Sequence, residues 1–170
     1  IGGGFGARLY VDTIIEAAWL SKITKKPIKL TYSRENDMEN TFLHPATAQK
    51  LKGSVNTKGQ LNSFEHCSAF VPIMKTFNSD SQIAGVEIDG LLAPFECPNI
   101  HIKTVTMPDN HIKQGFVRAV WANFHFFGRY SFIDELARKA KKDPKDFLLA
   151  SIGSDRIIEY DVKDQAFQSL

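Results

Sequence analysis

Apolar residues near the start of the chain recur at the spacing of an α-helix. They lie on one face of a helix that we predict from residue 11 to about residue 25. Pro27 ends this helix. The residues of this face are Val11, Ile14, Ile15, Ala18 and Trp19. Acidic residues come early in the segment and lysines late, which suits the helix dipole. We expect this helix to pack on one face of a sheet.

Four later stretches have the pattern of β-strands. Residues 28–32 form a short apolar run that we interpret as a buried strand. Residues 46–55 and 60–70 are two extended runs around a turn at 56–59 that ends in glycine, so they predict a hairpin with one face for the core. Alternating side chains over residues 100–107 predict another strand.

Two helices are predicted near the end of the chain. Phe132, Leu136 and Ala140 share one face of the first helix. The second helix begins at Asp143, because an acidic cap before a proline is a strong start signal, and Gly153 ends it.

This order of elements predicts an α+β fold rather than a regular βαβ alternation. We expect a mixed or antiparallel sheet that contains the hairpin and has helices packed on one face. Residues 1–170 are predicted to form one domain, with a possible sub-boundary near residues 72–96.

Composition narrows the class of protein. The 170 residues are 43% hydrophobic and 24% charged, as in a globular domain. A net charge of +2 does not suggest nucleic acid as a partner, and no apolar run reaches the roughly 18 residues of a membrane span. Cys67 and Cys97 form neither a CxxC pair nor a disulfide framework.

The histidines do not predict a metal site. None has metal-ligand spacing with another histidine or with a cysteine, so we expect no metal held by protein ligands. The five are His44, His66, His101, His111 and His125.

The most unusual stretch is the glycine-rich start of the chain, residues 2–6, directly before the first predicted helix. Glycines leave backbone N–H groups accessible, and a helix N-terminus favours anions, so this loop predicts an anion site. Gly2, Gly4 and Ala7 also match the spacing of a dinucleotide-binding fingerprint, with Glu35 or Asp37 as its acidic partner. The predicted hairpin does not fit the βαβαβ half that this alternative needs.

Three ordered pieces of the chain together resemble the large, molybdenum-cofactor-binding subunit of the xanthine dehydrogenase and aldehyde oxidase family, and most of all its isoquinoline 1-oxidoreductase beta-subunit branch. The pieces are residues 2–8 with 16–18; residues 27–30, 33–38 and 44–46; and residues 117–120, 131–137 and 143–144.

The resemblance implies a molybdenum hydroxylase that oxidises an aldehyde or an N-heterocyclic aromatic with oxygen from water. It implies a molybdenum-pterin cofactor, in the cytosine dinucleotide form, and iron–sulfur clusters on a small 2Fe-2S partner subunit. The implied cofactor-binding residues are Gly2, Gly3, Gly4, Phe5, Gly6 and Arg118. The apolar neighbours of Arg118 suggest that the stem of its side chain is buried.

The implied substrate pocket contains Leu9, Leu43, Val120 and Trp121. Leu9 and Leu43 replace polar residues of purine-oxidising members and so favour a less polar substrate. Trp121 replaces a usual glycine, and Tyr130 a usual glutamate. These two changes support an alternative in which the chain is a degenerate, non-catalytic assembly domain.

The resemblance also places the catalytic glutamate of the family beyond Leu170. We therefore expect an internal fragment that is inactive alone and completes its site with the rest of its own subunit. A periplasmic location is favoured over a cytoplasmic one.

Overall fold

The computed structural model shows an α+β fold in which helices cover one face of a mixed sheet. The structure describes residues 4–82, 87, 93–108 and 112–157, without the side chain of residue 7. Within these residues the helices are α1 (Asp12–Thr24), α2 (Arg34–Asn40), α3 (Ala122–Lys139) and α4 (Pro144–Ile152), and the 3₁₀ turns are Ala7–Leu9 and Ile73–Thr76. The strands are β1 (Thr47–Val55), β2 (Leu61–Phe70) and β3 (Asn99–Thr106).

The sheet has the order β1-β2-β3 and confirms the predicted mixed class. β1 and β2 form the predicted antiparallel hairpin, in which Thr47 lies opposite Phe70. The side-chain oxygen of Asn56 accepts hydrogen bonds from the backbone N–H groups of Lys58 and Gln60, which closes the turn. β3 then pairs with β2 in parallel.

The core lies between the sheet and helices α3 and α4. Alternate residues of β2 are buried on the face that α3 covers, as the period of a strand requires. A Cβ atom on Gly53 of β1 would lie 2.9 Å from Leu136 Cδ1, so the glycine lets α3 approach the sheet closely. The buried apolar cluster is Leu61, Phe64, Ala93, Phe95, Ile133, Leu136, Ala137 and Phe147.

Helix α4 begins and ends where the sequence predicts. The Asp143 carboxylate accepts hydrogen bonds from the backbone N–H groups of Lys145, at 2.9 Å, and Asp146, at 3.1 Å. Pro144 is the first helical residue, where its missing N–H costs nothing. Gly153 follows the helix with a φ of 81°, a conformation that favours glycine.

The predicted packing of the first helix is wrong. α1 forms, but it contains no buried residue, and Trp19 in its apolar stripe is 60% exposed. The helix that packs on the sheet is α3. Apolar periodicity identifies the face of a helix that avoids water, but it does not identify what covers that face.

The predicted strand at residues 28–32 is also wrong. Among the described residues, no strand pairs with this segment, and Ile28 and Tyr32 are each 38% exposed. Helix α2 follows it, and Ser33 is its N-cap, with a hydroxyl that accepts a hydrogen bond from the Asn36 backbone N–H at 3.2 Å. Of residues 83–92, within the predicted sub-boundary, only Glu87 lies among the described residues.

A polar cluster lies inside the core between β2 and α3. His66, Ser68 and His125 are fully buried, and Arg129 is 1% exposed. His66 Nε2 lies 2.8 Å from Gln49 Oε1, and His125 Nε2 lies 3.1 Å from Ser68 Oγ. We call these five residues the buried polar cluster. They tie the hairpin to α3 with directional bonds as well as apolar contact.

Both buried histidines are neutral at physiological pH. Burial, with a further contribution from the positive charge of Arg129, lowers the pKa of His66 to about 4. Burial, His66 and Arg129 lower the pKa of His125 to about 3. In the unfolded chain both rings recover the ordinary pKa of 6.5. As the pH falls, these two histidines are therefore protonated at a higher pH in the unfolded chain than in the folded one.

We therefore predict that the free energy of unfolding falls as the pH drops from 6.5 towards about 4 for His66 and about 3 for His125. The loss is up to about 1.4 kcal/mol per histidine and pH unit. Urea denaturation across this pH range measures the slope. His66→Gln should flatten it, whereas His101→Gln, at an exposed histidine of β3, should not. Equal slopes in all three proteins would contradict the prediction.

Candidate functional site

The glycine-rich loop docks on the segment that precedes α3. Gly6 has a φ of 91°, and a Cβ atom at this position would lie 2.0 Å from the carbonyl oxygen of Phe116. Only glycine combines this backbone conformation with so close an approach. The contact brings together two stretches that are 110 residues apart in sequence, both of which the sequence assigns to one site.

Tyr10 fixes the same junction from the other side. Its hydroxyl oxygen accepts a hydrogen bond from the Phe116 backbone N–H at 2.5 Å. A Cβ atom on Gly115 would lie 1.9 Å from that hydroxyl, so glycine is required here too. Burial raises the pKa of Tyr10 above its ordinary value, which keeps the phenol protonated at neutral pH.

An aromatic stack supports Tyr10. Its ring lies nearly parallel to that of Phe42, at a centroid distance of 3.6 Å, and to that of Phe77, at 5.4 Å. The rings of Phe77 and Phe116 are 5.9 Å apart. Such contacts add to the apolar burial of each ring. The stack therefore holds the junction at a fixed position.

The second piece of the resemblance, which contains His44, reaches the same place. The Leu43 backbone N–H donates to the Lys113 carbonyl at 2.9 Å, and the Leu43 carbonyl accepts from the Gly115 N–H at 3.0 Å. His44 Nε2 donates to the Arg118 carbonyl oxygen at 2.8 Å. Three stretches that are far apart in sequence thus meet in one site.

The backbone at this site is strained. Three residues other than glycine have positive φ angles here: Phe5 at 48°, Ala119 at 64° and Val120 at 44°. This conformation is least favourable for a β-branched residue such as Val120. Strained residues of this kind cluster at active sites and ligand clamps, where the surrounding contacts hold them in place. We call residues 118–121 the strained turn.

The predicted cofactor-binding residues lie at this site in part. Gly2 and Gly3 lie outside the described residues. Phe5 is 89% exposed. Arg118 is exposed, so its stem is not buried as its apolar neighbours suggest. Among the described residues, no hydrogen bond or ion pair reaches its guanidinium group.

The predicted pocket residues flank the same junction. Leu9 and Leu43 are exposed, whereas Val120 and Trp121 are half-buried. The two leucines present apolar surface to whatever binds there. In sequence, Leu9 follows Gly6 by three residues and Val120 and Trp121 follow Phe116 by four and five, while Leu43 is hydrogen-bonded to Lys113 and Gly115.

The glycine loop does not run directly into a helix. The 3₁₀ turn Ala7–Leu9 and two further residues separate it from α1, and Asp12 places a negative charge in the first turn of that helix. The dipole of α1 therefore does not make the loop an anion site, which corrects this part of the sequence prediction. Any ligand of the loop would bind to its own backbone groups.

The loop has room for a ligand at Gly4. Within the part of the chain that the structure describes, a Cβ atom there would meet only Arg8 Cβ, at 3.8 Å, which is an ordinary contact. The described chain thus requires glycine at Gly6 but leaves open space at Gly4. This space, together with the exposed guanidinium of Arg118, fits a polar group such as a pterin cofactor.

Two residues that hold the site together, Tyr10 and Gly115, were not predicted from the sequence. Tyr10 and Gly115 carry no local signal of their roles, since both act through contacts about 100 residues distant in sequence. Among the described residues, no three His, Cys, Asp or Glu side chains gather as metal ligands. No described helix combines the length and apolarity that crossing a membrane requires.

Comparison with known proteins identifies a family for this chain. The family model of the molybdopterin cofactor-binding domain matches residues 1–150. Isoquinoline 1-oxidoreductase subunit beta of Brevundimonas diminuta is 28% identical over 161 residues, which cover 91% of this chain and 20% of the relative. The molybdenum-binding subunit of the aldehyde oxidoreductase of Escherichia coli strain K12 is 27% identical over 155 residues, covering 86% and 19%.

Solved structures share the fold. The crystal structure of quinoline 2-oxidoreductase from Pseudomonas putida 86 matches with a TM-score of 0.67 at 15% identity, over 86% of this chain and 19% of that one. Aldehyde oxidoreductase from Desulfovibrio gigas also gives 0.67, at 19% identity, over 96% and 17%. The chain spans about a fifth of the length of its curated relatives. Because the family model covers most of its length, this chain belongs to the molybdopterin cofactor-binding domain family.

Proposed function

We propose that this chain forms the cofactor-binding edge of a molybdenum hydroxylase, an enzyme that oxidises an aldehyde or an N-heterocyclic aromatic with oxygen from water. The observation that supports the proposal is the docking of Gly6, two residues after Gly4, on Phe116, two residues before Arg118. Family membership supplies the class of cofactor.

Two features of the chain would hold the cofactor. The backbone at Gly4 has space for a bulky group, because no side chain among the described residues fills that space. The guanidinium of Arg118 can donate two parallel hydrogen bonds to an oxyanion or to a polar edge of the pterin. When bound, the molybdenum-pterin group accepts the two electrons that substrate oxidation releases. We propose its cytosine dinucleotide form.

Apolar residues next to these features would select the substrate. Leu9 and Leu43 are both exposed beside the junction, and Trp121 adds an aromatic ring. Such a surface favours flat, weakly polar molecules over purines. The names of the relatives, which contain isoquinoline and aldehyde, agree with this substrate class.

Partners of this domain would be a small subunit with 2Fe-2S clusters, which receives the electrons, and the rest of its own subunit. The N-cap residue of α1 and three residues of the helix, at steps of four, form an exposed apolar ridge: Val11, Ile15, Trp19 and Ile23. A row at this spacing is the surface that helices use to pack on one another. We propose that further chain of the same subunit covers the ridge, since relatives are about five times as long.

The two alternative functions that the sequence leaves open are less well supported. A dinucleotide-binding half needs parallel strands joined by helices, whereas β1 and β2 form an antiparallel hairpin. A degenerate assembly domain would keep the fold and lack the cofactor. Molybdenum analysis of the full-length protein, purified with its iron–sulfur partner, separates that alternative from the enzyme. About one molybdenum per subunit is expected.

The first prediction compares two loop glycines in the full-length protein. Gly4→Leu should abolish molybdenum retention, measured by elemental analysis, and leave thermal stability unchanged, because its side chain fills only the ligand space. Gly6→Ala should lower the free energy of unfolding by about 1–3 kcal/mol, because it clashes with Phe116. Full molybdenum content in Gly4→Leu would show that the glycine loop does not contact the cofactor.

The second prediction concerns Arg118. Arg118→Lys should lower turnover about ten- to a hundredfold, because a lysine cannot reproduce the paired hydrogen bonds of a guanidinium. Isoquinoline and benzaldehyde, with a dye as electron acceptor, serve as probe substrates. Arg34→Lys, in an exposed ion pair of α2, is the control and should retain wild-type rates. Wild-type rates in Arg118→Lys as well would contradict a contact between Arg118 and the cofactor or substrate.

The third prediction tests the ridge of α1 in the full-length protein. Trp19→Lys should lower the free energy of unfolding by about 2–4 kcal/mol, because it would place a charge in a covered apolar interface. Lys22→Gln, on the same helix, is the control and should have little effect. Chemical denaturation measures both. A tolerated Trp19→Lys would show that the ridge stays in contact with water.

A further inference from the structure

Within the buried polar cluster, the side chain of Gln49 on β1 makes two hydrogen bonds. Its Oε1 accepts from His66 Nε2 at 2.8 Å, and its Nε2 donates to the backbone carbonyl of Phe124 at 2.9 Å. Phe124 lies in the first turn of α3. One glutamine thus bonds the middle of the sheet to the start of the helix that follows the strained turn.

We propose that Gln49 is a positioning residue for the site: by fixing the first turn of α3 on the sheet, it holds the strained turn, and with it Arg118 and Trp121, in place. The part of this inference that concerns the cofactor rests on the proposed function. The part that concerns the position of the turn does not.

The amide of Gln49 has one orientation only. The carbonyl of Phe124 can only accept a hydrogen bond, so the NH2 group must face it. The Oε1 atom then faces His66, whose Nε2 must carry a proton to donate. Reversing the amide would break the bond to Phe124 and would require the other tautomer of His66. The side chain therefore fixes a distance and a direction between β2 and α3.

Gly128 shows that the helix is shaped around this glutamine. A Cβ atom on Gly128 would lie 2.4 Å from Gln49 Oε1. Glycine inside a helix costs about 0.5–1 kcal/mol relative to alanine. Here it leaves the space through which Gln49 reaches the backbone of α3.

Backbone hydrogen bonds connect α3 to the strained turn. His125 N–H donates to the Trp121 carbonyl at 3.4 Å, and Ala122 N–H donates to the Ala119 carbonyl at 2.8 Å. From the other side, His44, three residues before β1, donates to the Arg118 carbonyl. The positive φ angles of Ala119 and Val120 need such support. The start of the hairpin therefore holds the turn at both of its ends.

The position of the turn can be measured without substrate or cofactor. The full-length protein is labelled with 5-fluorotryptophan, and the fluorine resonances of Trp121 and Trp19 are assigned by Trp121→Phe and Trp19→Phe. Gln49→Met keeps the length of the side chain and removes both hydrogen bonds. Gly128→Ala leaves Gln49 intact but displaces it, and favours the helix. Gln60→Met, in the hairpin turn, is the matched control.

Gln49→Met and Gly128→Ala are both expected to shift or split the Trp121 resonance and to leave that of Trp19 unchanged. Gln60→Met should move neither. An unmoved Trp121 resonance in both variants, with Gln49→Met destabilised or not, would overturn the proposal. A Trp121 shift in a protein that never binds molybdenum would support the positioning role and refute the proposed function.

In protein that does bind molybdenum, both variants should lower its retention on dialysis. Outer hydrogen bonds at metal sites are worth about 10- to 100-fold in affinity or activity. Gln49→Glu keeps the acceptor for His66 and loses the donor for Phe124, so it should resemble Gln49→Met. If the variants retain all their molybdenum while the Trp121 resonance shifts, Gln49 positions the turn but has no effect on cofactor binding. That result would overturn the part of the proposal that concerns the cofactor.

Discussion

The close approach of Gly6 to the Phe116 carbonyl is the constraint on which the site depends. It joins the first residues of the described chain to the segment before α3, and no side chain fits between them. Tyr10 and its aromatic stack hold the same junction by a hydrogen bond and by ring contacts. Leu43 and His44 then attach the start of the hairpin. Without the docking of Gly6, Gly4 and Arg118 would have no fixed relation to each other.

The rest of the described chain divides into a support and an exposed part. The hairpin, β3, α3 and α4 enclose the apolar core, and the buried polar cluster adds directional bonds between sheet and helix. α1 and α2 contain no buried residue. This division fits a domain whose core orients the site on one side, while the apolar ridge of α1 meets further chain on another.

Local signals predicted the local elements. The turn at Asn56, the cap at Asp143 and the alternation of β2 each act within a few residues, so the hairpin and α4 could be found from the sequence. The Ser33 cap of α2 was an available signal that the apolar run before it obscured. The parallel pairing of β3 and the exposure of α1 depend on distant chain, and no local pattern encodes them. The glycine loop was recognised, but its partner Phe116 was not.

The most direct test is an anomalous difference map at the molybdenum absorption edge, from crystals of the full-length protein with its iron–sulfur partner. We expect one molybdenum peak on the open side of Gly4, facing Arg118, with Gly6 still packed on Phe116. A peak on another face of the domain, such as the side of the sheet opposite α3, would contradict it. So would a loaded structure in which Gly6 has left Phe116.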